Sequence, residues 1–281
     1  MNTQLATVTQ LTTNVDFLRE QDCKLVETWL YGKAANTQRN YHRAIDSLLV
    51  FPMRTITLSD MQALVTATTE RCRPITVAAI KSLWRFASEA GYIAVNPAIA
   101  LKTPKQRDTL TDRILPKEDI LRMLDRTENK RDHALIRLMY HSGIRVSEAC
   151  NLRWSDLREV DDYVIMDIWG KGSKLRHVVI SEQMYCDLVE QATDAEYVFA
   201  SRKGGHVQRE QAERIVHDAG IRAGIAVVTP HFMRHANCSH ALEAGAPITV
   251  VQASLGHSSL LTTQKYVHVR PDAGSSQYIS V

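Results

Sequence analysis

No stretch of this 281-residue chain approaches the about 20 consecutive apolar residues that a membrane-spanning helix requires. The opening MNTQLATVTQLTTN lacks the basic-then-apolar layout of an export signal, so a cytoplasmic protein with no membrane partner is expected. Cysteine is sparse: Cys23, Cys72, Cys150, Cys186 and Cys238 are odd in number, far apart and without a CxxC pair. That excludes a disulfide framework and a zinc knuckle, and the expectation is five buried, reduced thiols. Internal repeats and low-complexity tracts are missing. The turn GKGSK does not meet the GxxxxGK[ST] pattern of a nucleotide-binding loop. His231, His235, Cys238 and His240 crowd one stretch, yet Phe232 stands where a zinc protease has its glutamate, so no metal and no cofactor is expected.

What is present is globular: 44% hydrophobic and 23% charged residues, with a net charge of +3. The charge is unevenly spread. Residues 1 to 105 hold 12 lysines and arginines against eight acids, whereas 106 to 281 hold 22 against 23. A positive first third suits a DNA-gripping segment and suits an ordinary solvated surface equally well.

The first third reads as helices only. In NTQRNYHRAIDSLLVF, Tyr41, Ile45, Leu48 and Leu49 recur at helical spacing behind a cap at Asn36 or Thr37. TLSDMQALVTATTE follows the same plan with Ser59 as cap and Asp60 in the first turn. After Pro74, Val77, Ile80, Leu83, Trp84 and Ala87 form an apolar stripe that Gly91 ends. NPAIALKTPKQRDTLTDR then loses periodicity and carries two prolines, which marks a linker. The expected organisation is an all-α domain over 1–105, a linker over 106–114 and a second domain over 115–281.

Beyond the linker the pattern becomes mixed. Pro116 opens one helix at its first position, and KRDHALIRLMYHSG is a second, closed by Gly143. DYVIMDIWGKGSKLRHVVIS shows two partly alternating β-branched runs around a glycine turn, which is a hairpin. Thr229 and Pro230 start a helix running to Gly245, Pro247 starts another that stops at Gly256, and Ser258 or Ser259 can cap a last one bearing Tyr266.

On that scaffold several polar residues sit where packing does not require them. Arg145 follows a helix-ending glycine, Lys171 occupies the hairpin tip, and His231 and Arg234 share one face of a helix near its anion-favouring N-terminus. His257 follows Gly256, and Tyr266 comes nine residues later. Singly, these read as a surface arginine, a solvated lysine and a core-edge tyrosine. Together, GIRVSE, GKG, HFMR, LGH and the tyrosine in TTQKYVHV occur in the order of a known family. The chain resembles the tyrosine recombinases, the integrases that exchange DNA strands. Tyr278 is a rival tyrosine without the LGH spacing.

The resemblance implies an α-rich, two-domain tyrosine recombinase fold: an N-terminal SAM-like core-binding helical bundle, then a mainly α catalytic domain with a small antiparallel β-hairpin or sheet, the two forming a C-shaped clamp. It implies Tyr266 as nucleophile, forming a 3′-phosphotyrosyl link that stores the bond energy for rejoining. Arg145 and Arg234 suit paired hydrogen bonds to the nonbridging oxygens. His231 and His257 add donors, with His231 also able to move the tyrosine's proton, and Lys171 supplies a proton to the leaving oxygen. Glu148, one turn after Arg145, orients a neighbour.

The expected reaction is metal- and ATP-independent site-specific recombination in integration, excision or resolution. It would be run by a homotetramer on two duplex sites through a Holliday junction, from a monomer or dimer in solution, nucleoid-associated and open to accessory directionality proteins. In the first domain, Arg39, Arg43, Lys81 and Arg85 are expected on phosphates, with Asn40 a base reader, although an exposed position alone explains each of them. The N-terminal segment is expected to be too short for an arm-type DNA-binding domain. Related recombinases dock the C-terminal tail on a neighbour, but VRPDAGSSQYISV offers few apolar anchors. A non-cleaving DNA-binding protein on the same fold and a type IB topoisomerase-like activity are the alternatives.

Overall fold

The structure, a computed structural model, describes residues 19–104, 114–170 and 174–256. The chain forms two compact units, Met1–Arg107 and Asp108–Val281, each with its own core. All but the last residue of the expected linker, 106–114, lies outside the described residues.

The described part of the first unit is all helical. It holds α1 (residues 19–30), α2 (Ala35–Ile45), α3 (Leu58–Ala67) and α4 (Arg73–Glu89), with short 3-10 turns between. The α4 stripe faces inward as its spacing requires: Val77, Ile80, Leu83, Trp84 and Ala87 are all buried. Trp29 of α1 stacks on Tyr41 of α2 with ring centroids 5.4 Å apart, and its indole Nε1 donates to Ser82 Oγ of α4 at 3.1 Å. Buried Asp22 accepts from the Met53 backbone N at 2.8 Å and from the Tyr92 hydroxyl at 2.6 Å, so one carboxyl group ties three segments together.

Two caps differ from expectation. α2 starts at Ala35 with Ala34 as a cap that offers no side-chain bond. The entry turn is instead held by the Gln38 amide, which donates to the carbonyls of Leu30 and Lys33 at 3.2 and 2.8 Å. α3 is capped by Thr57, because Asp60 reaches back to the Thr57 backbone N at 2.8 Å and so completes a capping box; Ser59 lies inside the helix, too near the acid for that spacing.

The second unit comprises α5 (Lys117–Asp125), α6 (Lys130–Ser142), α7 (Val146–Asn151), β1 (Leu157–Val160), β2 (Tyr163–Trp169), β3 (Leu175–Ser181), α8 (Glu182–Glu190), α9 (Arg209–Arg222), α10 (Pro230–Glu243) and α11 (Ile248–Leu255). It is mostly helical with one small antiparallel sheet in the order β1-β2-β3. Pro116 is the cap of α5, one residue before its first turn. The expected hairpin is β2–β3, in register from Tyr163↔Ser181 to Trp169↔Leu175. A third strand, β1, adds to its edge through the tight turn at Asp161, which has a left-handed φ of 41°. Val164, Met166 and Ile168 of β2 and Val178 and Ile180 of β3 point inward onto a core built around α6, where Leu135, Ile136, Leu138 and Met139 are fully buried.

The cysteine expectation holds only in part. Cys150 and Cys238 are buried, and burial pushes their thiols up to about 11 and about 12. Cys23, Cys72 and Cys186 are exposed. The reason is helical phase: α1 turns Asp22, Val26 and Trp29 inward, which leaves Cys23 outside, and α8 turns Met184 and Leu188 inward, which leaves Cys186 on the opposite face.

Candidate active site

The α6–α7 junction presents the first arginine. Gly143 ends α6 in the left-handed conformation at φ 64°, and a Cβ there would meet Asn237 Oδ1 and Leu255 Cδ2 at 2.5 Å. Only glycine allows α10 and α11 to close on this turn. Two residues later Arg145 caps α7, its side chain 37% exposed. Glu148 accepts from the Arg145 backbone N at 2.7 Å and from its Nη1 at 2.9 Å.

Arg234 comes to the same place from α10. Its Nη1 donates to the Gly143 carbonyl at 2.7 Å and its Nη2 to the Leu255 carbonyl at 2.6 Å, and the residue is 7% exposed. Two of the five guanidinium donors thereby fix the plane of the group. His231, one turn earlier on α10, is open to solvent. Its imidazole is held below the ordinary histidine value by partial desolvation first, then by the positive charges of Arg234, Arg209 and Arg145, against a smaller opposing effect of Glu213. Arg145, His231 and Arg234 thus share one electropositive neighbourhood. Arg209, at the start of α9 and paired with Glu213 at 2.8 Å, belongs to it and was missed in the sequence.

Glu148 is the hub on the other side. With 6% of its side chain exposed, it also receives a two-bond fork from Arg176 of β3, at 2.9 and 2.7 Å. Burial pushes its carboxyl up, but the hydrogen bonds from Arg176 and Arg145 outweigh this and hold it below the ordinary value. A cavity of about 410 Å³ is lined by Arg145, Glu148, Trp169 and Gly170 among others. Lys171, His257 and Tyr266 lie outside the described residues. The described residues just before Lys171 and His257 lie against the Glu148–Arg176 pair: the Cβ position of Gly170 is 3.5 Å from Arg176 Nη1 and 4.0 Å from Glu148 Oε1, and that of Gly256 is 2.9 Å from Arg176 Cδ.

Of the four residues weighed as metal ligands, Cys238 is buried and His240 Nδ1 pairs with the Tyr140 hydroxyl at 2.9 Å. In the first unit Arg39 and Arg43 are exposed on α2, with Asn40 half-buried. Lys81 and Arg85 of α4 line a groove with Tyr41, and Arg85 stands 3.9 Å from Glu89.

The model of the phage integrase family matches residues 113–272. A tyrosine recombinase XerC of Xanthomonas axonopodis pv. citri is 34% identical over 203 residues, covering 69% of this chain and 66% of that protein, so the chain spans just under two thirds of that relative. A tyrosine recombinase XerD of Rhizobium meliloti is 32% identical over 274 residues, 85% of this chain and 86% of the relative. Among solved structures, a lambda integrase tetramer bound to a Holliday junction superposes with a TM-score of 0.74 at 18% identity, over 95% of this chain and 82% of that one. XerH bound to a difH substrate gives 0.62 at 18% identity, over 84% and 74%.

Proposed function

Because the chain belongs to the phage integrase family, the tyrosine recombinases, we propose that it is a site-specific DNA strand transferase acting through Tyr266. The Tyr266 oxygen attacks the scissile phosphorus, forming a 3′-phosphotyrosyl bond as the bond to the 5′ oxygen breaks. The phenol proton passes to His231, and Lys171 protonates the departing 5′ oxygen. Rejoining reverses both transfers, with the 5′ hydroxyl of the exchanged strand as nucleophile. Arg145, Arg234 and His257 hold the nonbridging oxygens while charge builds on them. The phosphotyrosyl bond keeps the energy of the broken one, so ATP has no role, and the guanidiniums neutralise charge that a metal ion would otherwise meet.

The meeting of the segments that bear Arg145 and Arg234, 89 positions apart in the chain, carries this reading: Arg234 bonds the Gly143 carbonyl, two residues before Arg145, and His231 lies one turn before Arg234 on α10. Four strands must be cut to exchange two duplexes, one tyrosine for each, which is why a homotetramer on two sites passing through a Holliday junction is the proposed assembly. In the proposed division of labour the domain over 1–105 grips DNA through Arg39, Asn40, Arg43, Lys81 and Arg85, 106–114 links, and 115–281 carries out the chemistry. Among the described residues no helix is long and apolar enough to cross a membrane. The proposed setting is the cytoplasm, on chromosomal or mobile DNA, with accessory proteins setting direction.

The test uses a duplex site that the full chain selects from a randomised pool, nicked beside the cleavage point so that the covalent adduct is trapped. Wild type should form the adduct in EDTA and without ATP, Tyr266→Phe should form none, and intact sites should give joined recombinant products. Relaxation without recombinant products would indicate topoisomerase chemistry, and binding without any adduct would indicate a non-cleaving protein.

A further inference from the structure

β3 alternates its side chains, with Val178 and Ile180 inward, and the same alternation carries Arg176 to the inner face opposite Ile168. A guanidinium at such a position is costly unless it is paired. Arg176, 12% exposed at its side chain, is paired with a geometry that lysine cannot reproduce. Two parallel bonds run to Glu148, and Nε donates to the Ser254 carbonyl at 2.9 Å.

These bonds join three chain segments. Glu148 holds the backbone and guanidinium of Arg145. Arg176 lies on β3 five positions after Lys171 in the chain, and the Cβ position of Gly170, the residue before Lys171, is 3.5 Å from its Nη1. Ser254 and Gly256 are two of the last three described residues before His257, and the chain passes Arg176 so closely that a Cβ on Gly256 would stand 2.9 Å from its Cδ. We propose that Arg176 is a positioning residue for strand transfer: through Glu148 it sets the Arg145 guanidinium, and through Ser254 it holds the end of α11 up to Gly256. The proposal rests on the recombinase reading above. Arg176 has little surface to offer a duplex, so its replacement should slow the chemical step and leave site affinity unchanged.

The experiment compares wild type, R176M and R176K as full chains on the selected, nicked site. Affinity is measured by mobility shift, folding by thermal melting and chemistry by single-turnover adduct formation. A second substrate carries a methylphosphonate at the scissile position, which removes the charge that Arg145 would meet. On the phosphate, R176M should keep wild-type affinity and lose about 100-fold in adduct rate, the scale of a small misplacement of a catalytic group. R176K, which keeps charge but not the fork, should fall between. On the methylphosphonate the deficits should shrink toward parity. A wild-type rate for R176M, or an equal deficit on both substrates, overturns the proposal. If R176M does not fold, the ratio of the two deficits for R176K decides in the same way. Absence of an adduct from wild type itself defeats the recombinase reading and this inference with it, an outcome separate from a variant that reacts as wild type does.

Discussion

Arg176 and Glu148, 28 positions apart in the chain, meet in a two-bond fork at 2.9 and 2.7 Å, and the same carboxylate carries Arg145 on its remaining lone pairs. One buried acid therefore balances two arginines, and the electrostatics of the site depend on its ionisation.

Removing that acid should be costly. Glu148→Ala leaves two partly buried guanidiniums without their partner, a loss of about 3–5 kcal/mol by the behaviour of broken buried pairs. Glu148→Gln separates charge from shape. The carboxyl is held below the ordinary glutamate value of 4.5, so its stabilisation is present above that value and fades as pH falls through the lower folded value. The gap in melting temperature between wild type and Glu148→Gln should be full at neutral pH and narrow below pH 4.5. A gap that stays constant into acid would show that charge is not what the site uses.

His231 should set the acid limb of the cleavage rate. As proton acceptor it must be neutral, and its lowered value keeps it so to a pH below the ordinary 6.5. Arg209→Gln removes one of the three cations responsible and leaves Glu213 without its partner, both of which raise the histidine. The half-maximal pH of single-turnover adduct formation should move upward in Arg209→Gln. A profile superposable on wild type would contradict the assigned proton route.

Gly143→Ala tests the close approach of α10 and α11 to the α6 terminus. The added Cβ meets Asn237 and Leu255 at 2.5 Å and the backbone sits at φ 64°. A left-handed alanine alone costs about 1–2 kcal/mol, and the clash adds to it. At about 2–4 °C per kcal/mol for a domain of this size, the melting midpoint should fall by at least about 4 °C. Calorimetry that finds no change would mean that the three helices close less tightly than described.

The proposed grip of the first unit predicts a salt signature. Each of Arg39, Arg43, Lys81 and Arg85 that neutralises a phosphate contributes about 0.9 to the slope of log affinity against log salt. Alanine at Arg39, Arg43 or Lys81 should flatten the slope by about that amount. Arg85, already near Glu89, is the member whose substitution should change it least. A slope that no substitution alters would remove these residues from the interface.

Much of this was legible in the chain. The α4 stripe, the glycine stops of α6 and α11 and the β2–β3 hairpin all follow from local periodicity and turn chemistry, which neighbouring residues encode directly. β1 escaped because Leu157–Val160 is a short edge strand whose alternation is broken by Arg158 and Glu159. The caps of α2 and α3 escaped because several residues there compete for the role and only side-chain reach decides. Arg176 did leave a signal, an arginine in phase with Val178 and Ile180, but a charged residue on an inner strand face is informative only once its partner is known.

By itself, then, the sequence determined which residues could do chemistry and on which local elements they ride, since the order of GIRVSE, GKG, HFMR, LGH and tyrosine is written in the chain. Only the tertiary structure decided that Glu148 joins Arg145 to Arg176, and that Arg176 reaches Ser254, 78 positions away. The reason is physical: helical and strand periods constrain neighbours within a few residues, whereas a buried ion pair forms wherever packing of the whole domain brings opposite charges out of water together.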